Sequence, residues 1–301
     1  MKAEKMFVGV SILQFSARFT CKEDCLDYLS DLKWKEGYQC SKCSHGRYCG
    51  TKRYGERRCT KCRSVESPTA HTLFHKVKFP LLKAFYIIFY LSTSTKGNST
   101  YELARKLDMS QPVVWRFKRK VMLAMKSSGN YPIDGRVVVD ETSIGGKVKE
   151  KRGRSQSSKK QVVVAIQKHP SGGISRAYAQ VIANAGSKQL IPFIEQYIDK
   201  GAHITTDQWR GYAPLAQRSS YNLSQIKSKR GENFPLMHRF IMGLKSWLRG
   251  IHHRVKYLQT YLDEYTYRFN RHLFKDILFH NLIKRIVAHP PCPIKNLNLA
   301  T

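Results

Sequence analysis

The side chains best suited to chemistry in this sequence are its few carboxylates and its clustered thiols. The chain has 301 residues but only 21 Asp and Glu, so acids that close apolar runs stand out. Asp140 ends the run Val137-Val138-Val139-Asp140 and is followed by Glu141-Thr142-Ser143-Ile144-Gly145-Gly146. Asp207 ends Ile204-Thr205-Thr206-Asp207 and is followed by Gln208-Trp209-Arg210-Gly211-Tyr212. Both runs read as strands bounded by turn residues. Carboxylates at the ends of neighbouring strands can hold two hard divalent cations. Such a pair activates a water or a 3′-hydroxyl and stabilises the leaving oxygen of an in-line phosphoryl transfer. A plainer alternative is that each Asp only caps the turn after its strand. The matched contexts favour metal binding.

The thiols suggest a different metal. Cys40-x2-Cys43 and Cys59-x2-Cys62 are separated by fifteen residues. Each pair makes a tight knuckle, and two knuckles complete a tetrahedral four-sulfur shell for zinc. Four protein thiolates leave no open position for water, so such a site is structural. Two disulfides would need an oxidising compartment, whereas Met1 to Thr20 has no long apolar run ending in small residues. His45 and Cys49 lie inside the loop as alternative ligands. Cys21, Cys25 and Cys292 read as core or free thiols.

The charge identifies the class of partner. Lys and Arg number 53 against the 21 acids, a formal net charge of +32. The excess falls in four blocks: ten cations and two acids in 33–63, five and none in 111–126, seven and one in 147–160, eight and one in 227–256. Separate basic blocks suit a long nucleic acid touched at several places better than a membrane patch. The most apolar stretch, Phe79 to Leu91, is too short to span the roughly 30 Å of hydrocarbon in a bilayer. The reading is a soluble, cytoplasmic, nucleoid-associated protein with no membrane partner.

The elements that would carry these groups can be placed coarsely. Residues 1–30 read as a helical lead-in, 31–70 as the zinc ribbon and 71–130 as helices. Pro80 opens a buried helix. Thr100 to Leu107, a turn at Asp108-Met109-Ser110 and Gln111 to Met125 have the layout of a helix-turn-helix, with Ser110 and Pro112 opening the second helix. That helix offers Arg116, Lys118, Arg119 and Lys120 to phosphates. From residue 136 the pattern turns to strands at 137–140, 161–167, 176–182 and 203–207. A helix from Ser187, with that serine as N-cap, precedes the last of these. Helices return from Leu236 to Asn270. Arg154, in a Ser-rich basic loop, and Arg249, in a late helix, are further candidates for DNA contact.

Taken together, these motifs and the tail Leu258-Gln259-x-Tyr261-Leu262-Asp263-Glu264-x-x-x-Arg268-Phe269-Asn270-Arg271 resemble the zinc-ribbon insertion-sequence transposases, the bacterial family numbered fifteen-ninety-five. The resemblance runs from about Cys21 to Arg271. It implies an α/β chain: an RNase H-like mixed five-stranded sheet with flanking helices over 131–285, preceded by the ribbon and the helix-turn-helix and followed by a tail, 286–301. It implies DNA cleavage and strand transfer with Mg²⁺ or Mn²⁺, no covalent enzyme intermediate, and double-stranded partners in terminal inverted repeats and target DNA. Such enzymes work as dimers or higher oligomers.

By position, Asp140 and Asp207 become metal ligands and Lys245 a phosphate contact. The third ligand in such proteins is Glu, or often Asn in this branch, two residues before the Lys. Here Gly243 stands there, and glycine offers no oxygen to a metal. Glu264, Glu232 and His238 are the other candidates. The expectation is weakened or lost cleavage, restored by Gly243→Asn or Gly243→Glu. Two other readings are a DNA-binding protein without catalysis and a zinc-ribbon transcription or RNA-binding factor. The paired strand-end aspartates argue against the last.

Overall fold

The computed structural model describes residues 6–94, 96–145, 159–217, 220–229, 232–251, 256–293 and 297. The chain divides into two compact units, Met1–Met125 with Leu273–Ala300, and Lys126–His272.

The first unit opens with α1 (Ile12–Arg18) and α2 (Lys22–Lys33). A small antiparallel sheet follows, with β1 (Tyr48–Gly50), β2 (Arg57–Cys59) and β3 (Val65–Glu66) side by side. Next come α3 (Leu81–Thr93), α4 (Thr100–Lys106) and α5 (Gln111–Met125). Pro80 immediately precedes α3, which buries Leu81, Ala84, Phe85, Ile87, Ile88, Phe89 and Leu91. A helix apolar on most sides needs partners around it. Aromatic rings supply many of them: Phe15 lies 4.3 Å from Phe89 and Phe19 lies 5.1 Å from Phe85, centroid to centroid.

The second unit is built on a five-stranded sheet. Its strands are β4 (Arg136–Ile144), β5 (Lys160–Lys168), β6 (Ile174–Ile182), β7 (His203–Thr206) and β8 (Asn222–Gln225). They lie in the order β6-β5-β4-β7-β8. The first three pair antiparallel, whereas β7 joins β4, and β8 joins β7, in parallel. This is the mixed, RNase H-like sheet that the resemblance implied. Strand β8 escapes the hydropathy pattern because Asn-Leu-Ser-Gln is polar and mostly exposed.

Helices cover both faces. α6 (Ser187–Tyr197) and the short α7 (Ala213–Ala216) lie on one side, α8 (Pro235–Ile251) and α9 (Leu258–Phe269) on the other. Strand alternation sorts β4 between them. Val137 and Val139 pack with Leu190, Phe193 and Ile194 of α6. Val138 and Ile144 pack with Phe240 and Leu244 of α8 and with Leu258 and Leu262 of α9. Gly186, not Ser187, is the N-cap of α6; the serine is already its first helical residue.

α9 also covers the edge of the sheet. Asn270 accepts from the Ala177 N–H at 2.8 Å and donates to the Ala177 carbonyl at 2.9 Å. Gln259 accepts from the Val181 N–H at 2.8 Å and donates to the Ala179 carbonyl at 3.3 Å. The two amides sit eleven residues apart, about three helical turns, so they share one face of the helix.

The last helix, α10 (Leu278–Ala288), returns to the first unit. Phe279 lies 5.2 Å from Phe15 and 5.6 Å from Phe19, and the Tyr28 hydroxyl meets His280 Nδ1 at 2.7 Å in the interior. The second unit therefore closes at His272, short of the boundary at 285 expected from sequence. An amphipathic helix announces an apolar face but not the partner that covers it.

Candidate catalytic and metal centres

The geometry of the two aspartates follows from one ladder. Arg136 pairs with His203, Val137 with Ile204 and Val138 with Thr205, a constant separation of 67 residues. Asp140 and Asp207 have that same separation and continue the register beyond the last paired residues. Residues opposite one another on adjacent strands share a face. Both carboxylates thus lie on the side of Val138, beneath α8 and α9. Each is half-buried. Asp140 Oδ1 accepts from the Glu141 N–H at 2.8 Å, and Asp207 Oδ1 accepts from the Trp209 N–H at 3.0 Å. The turn-capping role is therefore real, and it orients the carboxylates rather than competing with their convergence.

Two further groups complete this neighbourhood. Lys245 on α8 is half-buried, and its ammonium is held below the usual lysine range by burial and by Lys159, with Asp140 pulling the other way. The lysine and the first aspartate thus interact across the helix–sheet contact. On the opposite face, Tyr212 follows the Asp207 turn and is fully buried. Its phenol is held well above its ordinary range by burial, then by Glu141, toward which its hydroxyl is directed, and by the charges of Asp140 and Asp207. Tyr212 and Glu141 belong to the two segments that carry the aspartates. Sequence reading quoted both residues without giving either a role.

Helix α8 changes the account of the third position. A Cβ on Gly243 would stand 2.9 Å from Tyr265 Oη of α9, so this glycine marks a close helix–helix contact. Successive residues turn by about 100°, which puts Gly243 roughly 200° from Lys245 around the helix. His238, seven residues before Lys245, falls within about 20° of its stripe and is exposed. Glu264 is buried and held by Arg268 at 2.7 Å, so it serves the packing of α9. Glu232 is exposed in a loop. Among the described residues neither a third carboxylate nor a histidine clusters with Asp140 and Asp207.

The cysteines form the one cluster of metal-ligating side chains among the described residues. The sulfurs of Cys40, Cys43, Cys59 and Cys62 all lie within 4.8 Å of one another. Both knuckles are built alike. Ser44 N–H donates to the Cys40 carbonyl at 2.9 Å and Arg63 N–H to the Cys59 carbonyl at 3.1 Å, and both residues have left-handed φ, 56° and 64°. Backbone amides face the first sulfur of each knuckle. The Lys42 N–H draws the Cys40 thiol down to about 6, and the Cys62 N–H lowers Cys59. This donor set fits a closed tetrahedral ion. His45 bonds Thr60 at 3.0 Å, and Cys49 reaches the Arg58 carbonyl at 3.7 Å, so both are engaged away from the cluster.

The ribbon is anchored by a buried ion pair between Lys33 of α2 and Glu66 of β3, at 2.6 Å. Lys33 also donates to the carbonyls of Ser67 and Ala70. Arg57 lies over the rings of Trp34 and Tyr48, at 3.9 and 4.2 Å.

Helices α4 and α5 meet through a turn in which Asp108 has φ 46°, a helix-turn-helix arrangement. The expected cation row is only partly displayed. Lys118 is buried and donates to the Asn98 carbonyl at 2.9 Å. Arg119 is buried, its guanidinium 5.1 Å from the Trp115 ring centre. Both sit on the inner side of α5 with Val114, Val121 and Met122, which is why they do not reach solvent. Burial lowers the half-buried Lys120. Arg116 is exposed, as is Arg249 near the end of α8. Arg154 and Gly146 lie outside the described residues. No helix among the described residues is long and apolar enough to cross a membrane.

Comparison with known proteins finds a match within the second unit. No curated protein matches the chain. Among solved structures, a Mos1 transposase paired-end complex with the left transposon end is similar at TM-score 0.31 and 12% identity, covering 72% of this chain and 78% of that one. A pre-cleavage Mos1 transpososome is similar at TM-score 0.29 and 11% identity, over 71% and 77%. By sequence, the stretch that carries Asp140, Asp207 and Lys245 matches the ISXO2-like transposase domain family, over residues 132–270.

Proposed function

We propose that this chain is the DDE-type transposase of a bacterial insertion sequence. It binds the element's terminal inverted repeats and target DNA, as a dimer or higher oligomer, and cleaves and transfers DNA strands. The observation that carries this reading is the in-register pair Asp140 and Asp207 beneath α8, inside the matched transposase domain.

The two aspartates would hold Mg²⁺ or Mn²⁺; hard oxygen donors on one face suit those ions. When bound, the ions supply activation of the attacking oxygen and charge stabilisation at the leaving one. The protein's own part is positioning. Lys245 contacts phosphate as a point charge beside Asp140. His238, on the stripe of Lys245, is the side chain of α8 put forward as a third donor; it would have to move toward the aspartates on metal binding, since it does not cluster with them in this structure. Glu141 and Tyr212 fix the spacing of the strand ends from below. The four cysteines hold zinc as a structural ion, and Arg116, Lys120 and Arg249 belong to the DNA-facing surface.

One observation favours a second reading, DNA binding without catalysis: no third carboxylate joins the pair among the described residues. A plasmid carrying the DNA that flanks this gene separates the two. Wild-type protein is expected to nick it in Mg²⁺ or Mn²⁺. Asp140→Asn and Asp207→Asn should each lower the rate by about a thousandfold or more, about 4 kcal/mol of transition-state stabilisation. A wild type that retains the DNA but never nicks it leaves the binding-only reading standing.

A further inference from the structure

Beside the Asp207 turn, on the α6 side of the sheet, lies a cavity of about 640 Å³. Gln161, Asn184, Gly186, Ser187, Trp209 and Arg210 line it. We infer that this cavity receives one unstacked nucleobase of the DNA strand being processed, an assignment that rests on the transposase reading above.

The wall is built for a flat ligand. The indole of Trp209 is fixed by its Nε1–H, which donates to the Ala185 carbonyl at 2.6 Å. That close approach demands Gly211, where a Cβ would stand 2.6 Å from the Ala185 oxygen and 2.7 Å from the indole nitrogen. A ring held at its edge keeps one orientation, which is what a stacking platform requires.

The polar lining matches a base edge. Gln161 and Asn184 are carboxamides, each with donors and an acceptor. Gln161 is steadied by its bond to Ser143 at 2.9 Å, and Asn184 Oδ1 accepts from the Gly186 N–H at 2.9 Å. Arg210 is exposed, its guanidinium 5.8 Å from the Trp209 ring centre, and would swing to a phosphate of the same nucleotide. Among the described residues no Asp or Glu lines the cavity, which suits a polyanionic strand. The volume exceeds that of one base and is within the ordinary range of ligand sites.

Its position gives the cavity a use. The Trp209 N–H donates to Asp207 Oδ1, so the stacking residue and the catalytic carboxylate share one turn. A base drawn out of the duplex and held on Trp209 would fix its neighbouring phosphate relative to Asp207. Enzymes that act on one nucleotide of a duplex accept the cost of unstacking in return for that positioning.

The test uses the full-length protein and a short single-stranded oligonucleotide carrying one 2-aminopurine. A second oligonucleotide has an abasic site at the same position. We expect 2-aminopurine emission to change on binding and the abasic strand to bind about tenfold more weakly, the scale of one base–aromatic stack. Trp209→Ala should abolish that difference. Ala183→Trp, at an exposed position on the rim, should abolish it by filling the entrance without removing any core contact. Equal affinity for the two strands overturns the inference, as does a base-dependent difference that survives Ala183→Trp. Plasmid nicking is read in parallel. Nicking with equal strand affinities removes the base pocket and keeps the transposase, whereas base-dependent binding without nicking keeps the pocket and removes the catalytic reading.

Discussion

The four-cysteine cluster and the aspartate pair put ligands together by opposite means. Cys40 to Cys62 spans 23 residues, and every sulfur is delivered by a knuckle that closes on itself. Asp140 and Asp207 are brought together only by the parallel pairing of β4 with β7. The first centre shapes its own surroundings and has no vacant position. The second borrows its shape from a sheet. A structural site can be encoded locally, whereas a site that must admit a substrate depends on the register of distant strands, since a one-residue slip would turn a carboxylate to the other face.

The largest effect should fall on the closed centre. Removing the proposed zinc with a chelator, or replacing Cys59 by Ser, is expected to unfold residues 40–62, because structural zinc contributes on the order of 10 kcal/mol to folding. Circular dichroism and protease sensitivity should report that loss while the five-stranded sheet remains folded. If the sheet melts together with the ribbon, the contrast between a local and a long-range centre is wrong. Metal analysis should return one zinc per chain.

A smaller effect sharpens the comparison at the open centre. His238→Ala should lower plasmid nicking by about a hundredfold, about 2.7 kcal/mol, with DNA retention unchanged. If instead His238→Ala nicks normally, the third donor must come from outside the described residues of α8.

Next in size is the edge of the sheet. Asn270→Ala leaves the Ala177 N–H and carbonyl without their side-chain partner and should destabilise the second unit by about 1–3 kcal/mol. The midpoint of chemical denaturation measures it, and an unchanged midpoint would show that water replaces the amide at no cost. Smallest of all is Gly243→Asn. Gain of helix propensity, roughly 0.3 kcal/mol, is offset by crowding against Tyr265, so both stability and nicking should stay near wild type. A strong rise in nicking would return the third position to residue 243.

What could be read from the sequence follows the same division. The cysteine spacing specifies its cluster without any knowledge of the fold. The two strand-end aspartates were legible because Val137-Val138-Val139 and the β-branched Ile204-Thr205-Thr206 identify strands, and their pairing needed only one sheet. Other features depend on partners that no local pattern names. Strand β8 is short and polar, and it joins the sheet through its backbone. Lys118 and Arg119 read as surface cations, since an interior lysine is rare; the Asn98 carbonyl and the Trp115 ring take them inward. Motif alignment set Gly243 two residues before Lys245, but two residues on a helix lie on opposite sides. The helical angle places His238, seven residues back, on the stripe of Lys245, a relation that linear spacing does not display.

The amide pair on α9 also bears on how the protein behaves at high concentration. Strand β6 is nine residues long and lies at the margin of its sheet. Gln259 and Asn270 occupy main-chain groups that a second copy would otherwise use to extend the sheet into a fibril. At high concentration, copies of this chain therefore meet a margin whose main-chain groups at Ala177, Ala179 and Val181 are already taken.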